Sequence, residues 1–494
     1  MSAPRLKTLA DIRGAARLPG YRPVEHAVGI VHIGIGAFHR AHQAAYTDSA
    51  LAAAGGNWRI RGVSLRSRET ADALNPQNGL YTLIERSAAG TTGRVIGAIA
   101  DVIAADPAAT LAALADPAIR IVTLTVTEKG YGMDRASRAP DWTHPAVAAD
   151  LATPDKPSGV LGLLVAALKA RRAAGVAPFT VLCCDNLPEN GALLRDTVIA
   201  FARRGDPALA DWIAAEVAFP SSMVDRITPA ATPQTFAEAE RLTGCADLAA
   251  VETEAFHQWV IEDHFPGGRP AWEEAGAIFV SDVTPYERMK LTMLNGSHSM
   301  LAYAGFLCGR RHVRDVMADD ALAGLVRRHL QAAAAVLPPL AGIDIHAYGE
   351  ALARRFANPA IAHETYQIAM DGTEKLPQRL LAPAMRALET GAALRPFAFA
   401  VAAWMRYCLG RTDDGTAYAL RDPREGEIET VLSGVPRKAE PLSDVLHGLP
   451  GLFPPQLLAS ADWRRQVVEA LDAMMTRGMA EAVRSEGVKT KEET

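Results

Sequence analysis

The stretch Tyr286-Glu287-Arg288-Met289-Lys290-Leu291-Thr292-Met293-Leu294-Asn295-Gly296-Ser297-His298-Ser299-Met300-Leu301 sets a lysine, an asparagine and a histidine among apolar residues. Read as an α-helix at roughly 100° per residue, it makes Asn295 and His298 i,i+3 neighbours. Lys290 then lies about 140° from Asn295 and about 80° from His298, so the three share one broad side. Met289, Met293, Leu294 and Leu301 would exclude water from the lysine and lower its pKa from about 10.4 toward neutrality. A lysine in that condition can serve as a general base. The same spacing equally describes a snorkelling lysine above a hydrogen-bonded core asparagine and histidine.

Two more stretches place polar residues where packing would favour apolar ones. Cys183-Cys184-Asp185-Asn186-Leu187-Pro188-Glu189-Asn190-Gly191 follows a strand-like run. Ligands in open parallel sheets bind beyond the carboxyl ends of strands, which suits Asn186, although an asparagine there could simply cap the next helix. Phe219-Pro220-Ser221-Ser222-Met223-Val224-Asp225-Arg226-Ile227-Thr228-Pro229 encloses Asp225-Arg226 between apolar residues. That pair reads either as a structural ion pair or as an Asp225 that accepts hydrogen bonds from substrate hydroxyls.

A glycine turn supplies a different chemistry. Gly34-Ile35-Gly36-Ala37-Phe38 comes directly after an apolar strand and opens a helical segment. Glycines there permit a tight turn and let the backbone approach a pyrophosphate, so Gly34, Gly36, Ala37 and Phe38 are candidate dinucleotide contacts. The fingerprint is incomplete, because His39 stands where a third glycine is expected. The second strand runs into Leu65-Arg66-Ser67-Arg68-Glu69. Glu69 suits the ribose of NAD, Arg66 or Arg68 the 2′-phosphate of NADP, and the loop also reads as a solvated charged segment.

The elements that must carry these residues can be read from periodicity. Strand-like runs at Val28–Ile33, Trp58–Leu65, Ile119–Val126 and Phe179–Cys184, with another at Phe279–Val283, alternate with helical segments at 39–54, 108–115 and 160–174. That alternation predicts a parallel sheet with helices on its faces. From about residue 285 onward, segments 286–306, 318–335, 346–356, 378–390, 395–409 and 462–484 read as helices. The expected organisation is an α/β chain. An expanded Rossmann-type domain over 1–285 precedes a mostly α-helical domain over 286–494. Tyr286 and Lys290 also spell Tyr-x-x-x-Lys, a dehydrogenase pair that belongs inside a Rossmann sheet; here it falls where the helices begin, and it is discounted.

Composition limits the alternatives. The 494 residues are 49% hydrophobic and 22% charged, with a net charge of −5. This excludes general disorder, and no basic excess is present to neutralise nucleic acid. Five cysteines without a Cys-x-x-Cys pair offer neither a disulfide framework nor a zinc site, so no metal is expected. The opening MSAPRLKTLADIRG lacks an apolar core of signal-peptide length, and no membrane span is evident. The expectation is a cytoplasmic protein with a small-molecule substrate, as a monomer or small homo-oligomer.

Six ordered motifs carry a resemblance that covers nearly the whole chain: GIGAFHRAHQAAYTD (34–48), TLTVTEKGY (123–131), CDNLPENG (184–191), FPSSMVDRITPAAT (219–232), QWVIEDHFPGGRP (258–270) and MKLTMLNGSHSMLAY (289–303). The chain resembles the polyol-specific long-chain dehydrogenases, the mannitol dehydrogenase family. The resemblance implies a Rossmann domain, a helical domain and an active site in the cleft between them. It also implies metal-independent, nicotinamide-dependent oxidation of a secondary alcohol on an open-chain sugar derivative, with NAD the expected cofactor and NADP the alternative. By motif match, Lys290 is the general acid/base and Asn186 and Asn295 bind the reacting oxygen. His298 and Asp225 position substrate, and Glu128 helps pass the lysine proton to solvent.

Within that family, QIAMDGTEKLPQRLL (367–381) resembles the fructuronate reductases, which act on D-mannonate. Gln367 stands where mannitol dehydrogenases tend to carry arginine. Lys375 matches a substrate-contacting lysine, and Arg379 has the fork geometry a carboxylate needs. The alternative substrates are mannitol and other polyols. A dinucleotide sensor without turnover is disfavoured by the intact Lys290, Asn186, Asn295 and His298. Two departures stand out: Glu254-Ala255-Phe256-His257-Gln258-Trp259 replaces the family's E-P-F-R-Q-W, and Arg66 and Arg68 occupy the end of the second strand.

Overall fold

The computed structural model describes residues 3–87, 89–126, 128–134, 137–359 and 363–489, with backbone alone at 128, 129 and 487–489. It divides into two compact units, Met1–Thr284 and Pro285–Thr494.

The first unit is built on a five-stranded parallel sheet. Its order is Ile99–Ala104, Arg59–Ser64, Val28–Ile33, Ile121–Leu124, Thr180–Cys183. Short runs of β-branched residues buried on both faces make this arrangement favourable, because helices cover each side. Val31, Ile33, Val122, Leu124 and Val181 are all fully buried. The order reverses between Val28–Ile33 and Ile121–Leu124. Crevices for ligands form at such a reversal, beyond the carboxyl ends of the strands.

Two parts of the sheet depart from the sequence reading. The Ile99–Ala104 strand was not expected, and it supplies the fifth strand. The run expected at Phe279–Val283 is Ile278–Val280, and it belongs to a separate three-stranded sheet with Ser222–Asp225 and Gln258–Glu262. A further sheet pairs Tyr81–Ser87 with Gly90–Ile96 and Val251–Glu254. The helix expected over 39–54 breaks at His42, whose φ of −117° and ψ of −89° lie outside the helical range, giving Ala37–Ala41 and Gln43–Ala54.

The second unit is helical, and among its described residues there is no named strand. The long apolar helix Arg395–Tyr407 lies at its centre, with Phe397, Phe399, Val401 and Trp404 buried. It packs on Gly296–Leu307 and Ala461–Arg477. The helix expected over 462–484 is two helices, because Gly478 at φ +81° ends the first. Among the described residues no helix is long and apolar enough to cross a membrane.

Candidate active site

The glycine turn sits at the sheet reversal and is stitched there by side chains. His32 Nδ1 lies 2.7 Å from Thr123 Oγ1, and His32 Nε2 lies 2.9 Å from Thr125 Oγ1. Thr125 Oγ1 donates to the Gly34 carbonyl at 2.8 Å. Gly34 adopts φ +99°, and a Cβ there would fall 2.1 Å from the Thr125 carbonyl oxygen. Both facts demand glycine. Gly36 differs: its nearest neighbour to a Cβ would be 3.8 Å away, so its Cβ direction is open. His39, at the third-glycine position, is buried and stacks on His32 with ring centroids 3.4 Å apart. Burial pushes His32 down to about 3, so that ring is neutral at ordinary pH.

The other first-unit candidates lie at strand ends. Asn186 is exposed just after Thr180–Cys183. Its loop is held by neighbours: Asn190 Nδ2 donates to the Asp185 carbonyl at 3.0 Å and to the Ser222 carbonyl at 2.7 Å. Asp185 accepts from the Val126 N–H at 3.0 Å and from the Tyr131 hydroxyl at 2.6 Å. Asp225 is 6% exposed at the end of Ser222–Asp225, and Arg226 beside it donates to the Ala41 and Glu254 carbonyls and pairs with Glu85. Glu69 is exposed at the start of Glu69–Leu74, with Arg66 and Arg68 exposed before it. Glu128 opens the short helix Glu128–Tyr131, and its side chain lies outside the described residues.

In the second unit, Lys290, Asn295 and His298 are all buried, at 7%, 9% and 9% exposure. The helical geometry differs from the sequence reading. Residues Lys290–Asn295 form a π-helix between the α-helices Thr284–Met289 and Gly296–Leu307. In an α-turn the hydrogen-bonded residues i and i+4 share a face; in a π-turn i and i+5 do. Lys290 and Asn295 are five apart. The insertion therefore brings onto one face two residues that a regular α-helix would have held about 140° apart. Tyr286, by contrast, donates its hydroxyl proton to the Ala341 carbonyl at 2.8 Å.

Around His298 the unit collects cations. The His298 ring lies 4.5 Å from Phe356 and 5.5 Å, edge on, from His363. Burial, then His363, Arg355 and Arg379, hold it well below its ordinary range, so His298 is a neutral ring. Arg379 lies in a second π-helix, Pro377–Leu381, and its Nη1 donates to Ser299 Oγ at 3.3 Å. Lys375 donates to the Ile368 and Met370 carbonyls and pairs with Asp371 at 3.4 Å. The π-helices meet closely: a Cβ on Gly296 would fall 2.7 Å from the Arg379 carbonyl oxygen. Among the described residues no His, Cys, Asp and Glu group could hold a metal.

The family model for the mannitol dehydrogenase Rossmann domain matches residues 28–274, and that for the mannitol dehydrogenase C-terminal domain matches residues 282–475. The chain belongs to the mannitol dehydrogenase family. It is an oxidoreductase of that family. The D-mannonate oxidoreductase of Escherichia coli K12 is 42% identical over 461 residues, 92% of this chain and 94% of that relative. A mannitol 2-dehydrogenase of Cereibacter sphaeroides is 43% identical over 412 residues, 82% of this chain and 86% of the relative. A solved Pseudomonas fluorescens mannitol 2-dehydrogenase, in ternary complex with NAD and D-mannitol, is 38% identical. It superposes with a TM-score of 0.81, covering 98% of this chain and 100% of that one.

Sequence reading missed several residues that lie beside the candidates within each unit of this mannitol dehydrogenase family member. His32 escaped notice because its side-chain partners Thr123 and Thr125 are distant in the chain, and the same holds for His363 beside His298. Gly296 carried a usable signal: a glycine inside a helix costs about 1 kcal/mol relative to alanine and calls for a packing reason.

Proposed function

We propose that this chain is an NAD-dependent oxidoreductase interconverting D-mannonate and D-fructuronate, with residues 1–285 binding the dinucleotide and 286–494 the substrate. The glycine turn fits the cofactor: Gly34 is required by the turn itself, whereas the open Cβ direction of Gly36 is the space a pyrophosphate needs. Glu69 would take the ribose hydroxyl of NAD. When bound, NAD supplies the hydride acceptor.

The chain's own residues handle the proton and the orientation. In oxidation Lys290 takes the proton of the reacting hydroxyl, and in reduction it returns a proton to the ketone oxygen. The side-chain N–H groups of Asn186 and Asn295 donate to that oxygen and steady the charge developing on it. His298, as a neutral ring, and Asp225 hold the remaining hydroxyls. Glu128 passes the lysine proton on to solvent. A lysine with two amides supplies both base and charge stabilisation, so no metal enters the scheme.

One observation carries the choice of a sugar acid over a neutral polyol. Arg379 is mostly buried, and among the described residues its side chain hydrogen-bonds the Ser299 hydroxyl rather than a carboxylate. Desolvation already weakens its hold on its proton, and Arg355 and Lys375 lie in the same electrostatic neighbourhood. Asp371 acts on Arg379 electrostatically, yet no carboxylate bonds its guanidinium among the described residues, and a mostly buried cation so placed favours an anionic ligand. The test is a panel of D-mannonate, D-mannitol, D-arabinitol and D-glucitol with NAD and NADP. Turnover of mannonate with NAD is expected, and activity on neutral polyols alone would overturn the reading. Arg379→Gln should lower kcat/KM for mannonate about tenfold to a hundredfold, the worth of a charge-assisted hydrogen bond of roughly 1.5–3 kcal/mol. Any activity on mannitol should survive it.

A second prediction separates the two glycines. Gly36→Ala should leave Tm within about 2 °C, since no protein atom crowds the new methyl, yet weaken NADH binding about tenfold by fluorescence titration. Unchanged NADH affinity would remove Gly36 from the cofactor site.

A further inference from the structure

A cavity in the helical unit, of about 350 Å³, is bounded by the helices Asp320–Ala335, Arg395–Tyr407, Ala461–Arg477 and Met479–Lys489. None of the residues assigned to the reaction lines it. Its size falls in the range of small-molecule sites, and it combines an apolar wall with a few polar groups as such sites do. Leu325, Leu394 and Phe399 provide the wall, and all three are buried.

The polar groups are unevenly satisfied. Arg395 pairs with Glu486 at 3.1 Å and donates to the Gln466 carbonyl at 3.0 Å. Arg465 pairs with Glu469 at 2.8 Å. Both carboxylates of the cavity are therefore engaged by arginine. Arg328 feels the Glu486 charge, but its Nη2 is buried and meets no hydrogen-bond partner among the described residues. Gln466 Oε1 is likewise buried without a donor. The charged side chains lining the cavity are Arg328, Arg395, Arg465, Glu469 and Glu486, an excess of one positive charge. A buried guanidinium donor and a buried amide acceptor left unpaired are each costly, the charged one more so. An occupant that satisfies both must offer an anion to Arg328 and a hydrogen-bond donor to Gln466, with carbon between them to cover Leu325, Leu394 and Phe399.

We propose that this cavity is a second small-molecule site, specific for a short-chain hydroxy-carboxylate whose carboxylate meets Arg328 and whose hydroxyl donates to Gln466 Oε1. The guanidinium fork matches a carboxylate in two parallel hydrogen bonds, which a neutral ligand cannot reproduce. His329, on the cavity wall, also approaches the helix that carries His298: a Cβ on Gly296 would lie 3.6 Å from its Nε2.

The experiment is isothermal titration of the full chain with 3-hydroxybutyrate, butyrate and 1,3-butanediol. The expected order is 3-hydroxybutyrate tightest, butyrate weaker, and butanediol at least tenfold weaker than the hydroxy acid. Arg328→Gln should reduce 3-hydroxybutyrate affinity at least tenfold. Gln466→Leu should bring 3-hydroxybutyrate down to the affinity of butyrate. Arg379→Gln, which alters the proposed substrate site, should leave all three unchanged, so failure here and failure of the substrate reading remain distinguishable. If Arg328→Gln does not fold, Arg328→Lys keeps the charge but not the fork and should still weaken binding. No binding at tens of millimolar, equal affinity for the diol, or binding lost in Arg379→Gln would each overturn the proposal.

Discussion

Replacing Lys290 by alanine is expected to lower kcat/KM for the best sugar-acid substrate by on the order of 10²–10⁴, the contribution of a positioned general acid or base. The loss should be most visible in the oxidation direction, where the hydroxyl must surrender a proton as hydride leaves. Lys290 is 7% exposed, so little water reaches it to take over its task. NADH binding, measured by fluorescence titration, should remain unchanged, because the glycine turn belongs to the other unit. Lys290→Met keeps the length and apolar stem of the side chain and should be as inactive as alanine, which separates lost chemistry from lost packing. Small primary amines added to the alanine variant should restore part of the rate. A Lys290→Ala enzyme with undiminished turnover would remove the lysine from the reaction.

How far the sequence reveals this site depends on which contacts define each element. Val28–Ile33 is legible to the residue because its β-branched run ends abruptly at glycines. The runs expected at Trp58–Leu65, Ile119–Val126 and Phe179–Cys184 are each shorter in the structure, at Arg59–Ser64, Ile121–Leu124 and Thr180–Cys183. Apolar character continues past the last sheet hydrogen bond. Leu65 and Val126 pack against the core after the backbone has left the sheet. The antiparallel pair Tyr81–Ser87 and Gly90–Ile96 is hidden for the opposite reason. Its mix of Thr, Glu, Arg and Gly lacks clean alternation, and its stability comes from distant partners such as Leu242, which packs with Ile84 and Val95.

The site itself divides along the same line. Motifs mark Asn186, Asp225, Lys290, Asn295 and His298 because each lies in a local pattern. The π-helix at Lys290–Asn295 leaves no such mark. One extra residue in a helical turn alters hydrogen bonding without altering composition, so 286–306 reads as one regular α-helix. The insertion becomes intelligible beside its partner, since the second π-helix, Pro377–Leu381, packs against the first. Glycine at 296 lets them approach.

Gly296→Ala follows from that contact, and two physical effects oppose each other in it. Gly296 has ordinary helical angles, φ −63° and ψ −49°, so backbone freedom is not the reason for glycine. By helix propensity alone, alanine should stabilise the protein by roughly 0.5–1 kcal/mol. The added methyl, however, would fall 2.7 Å from the Arg379 carbonyl oxygen, a backbone atom that cannot rotate away. One π-helix must then shift against the other. Asn295 immediately precedes Gly296 and His298 lies two residues beyond it, so any shift moves the groups proposed to hold substrate. A displacement near 1 Å at a reacting centre can cost about 10²-fold in rate. The expected result is a lower Tm together with a kcat/KM about a hundredfold below wild type, with NADH affinity retained. The two readouts must fall together. An alanine variant that melts higher and turns over normally would mean that propensity outweighs contact, and that the π-helices do not depend on this approach for their alignment.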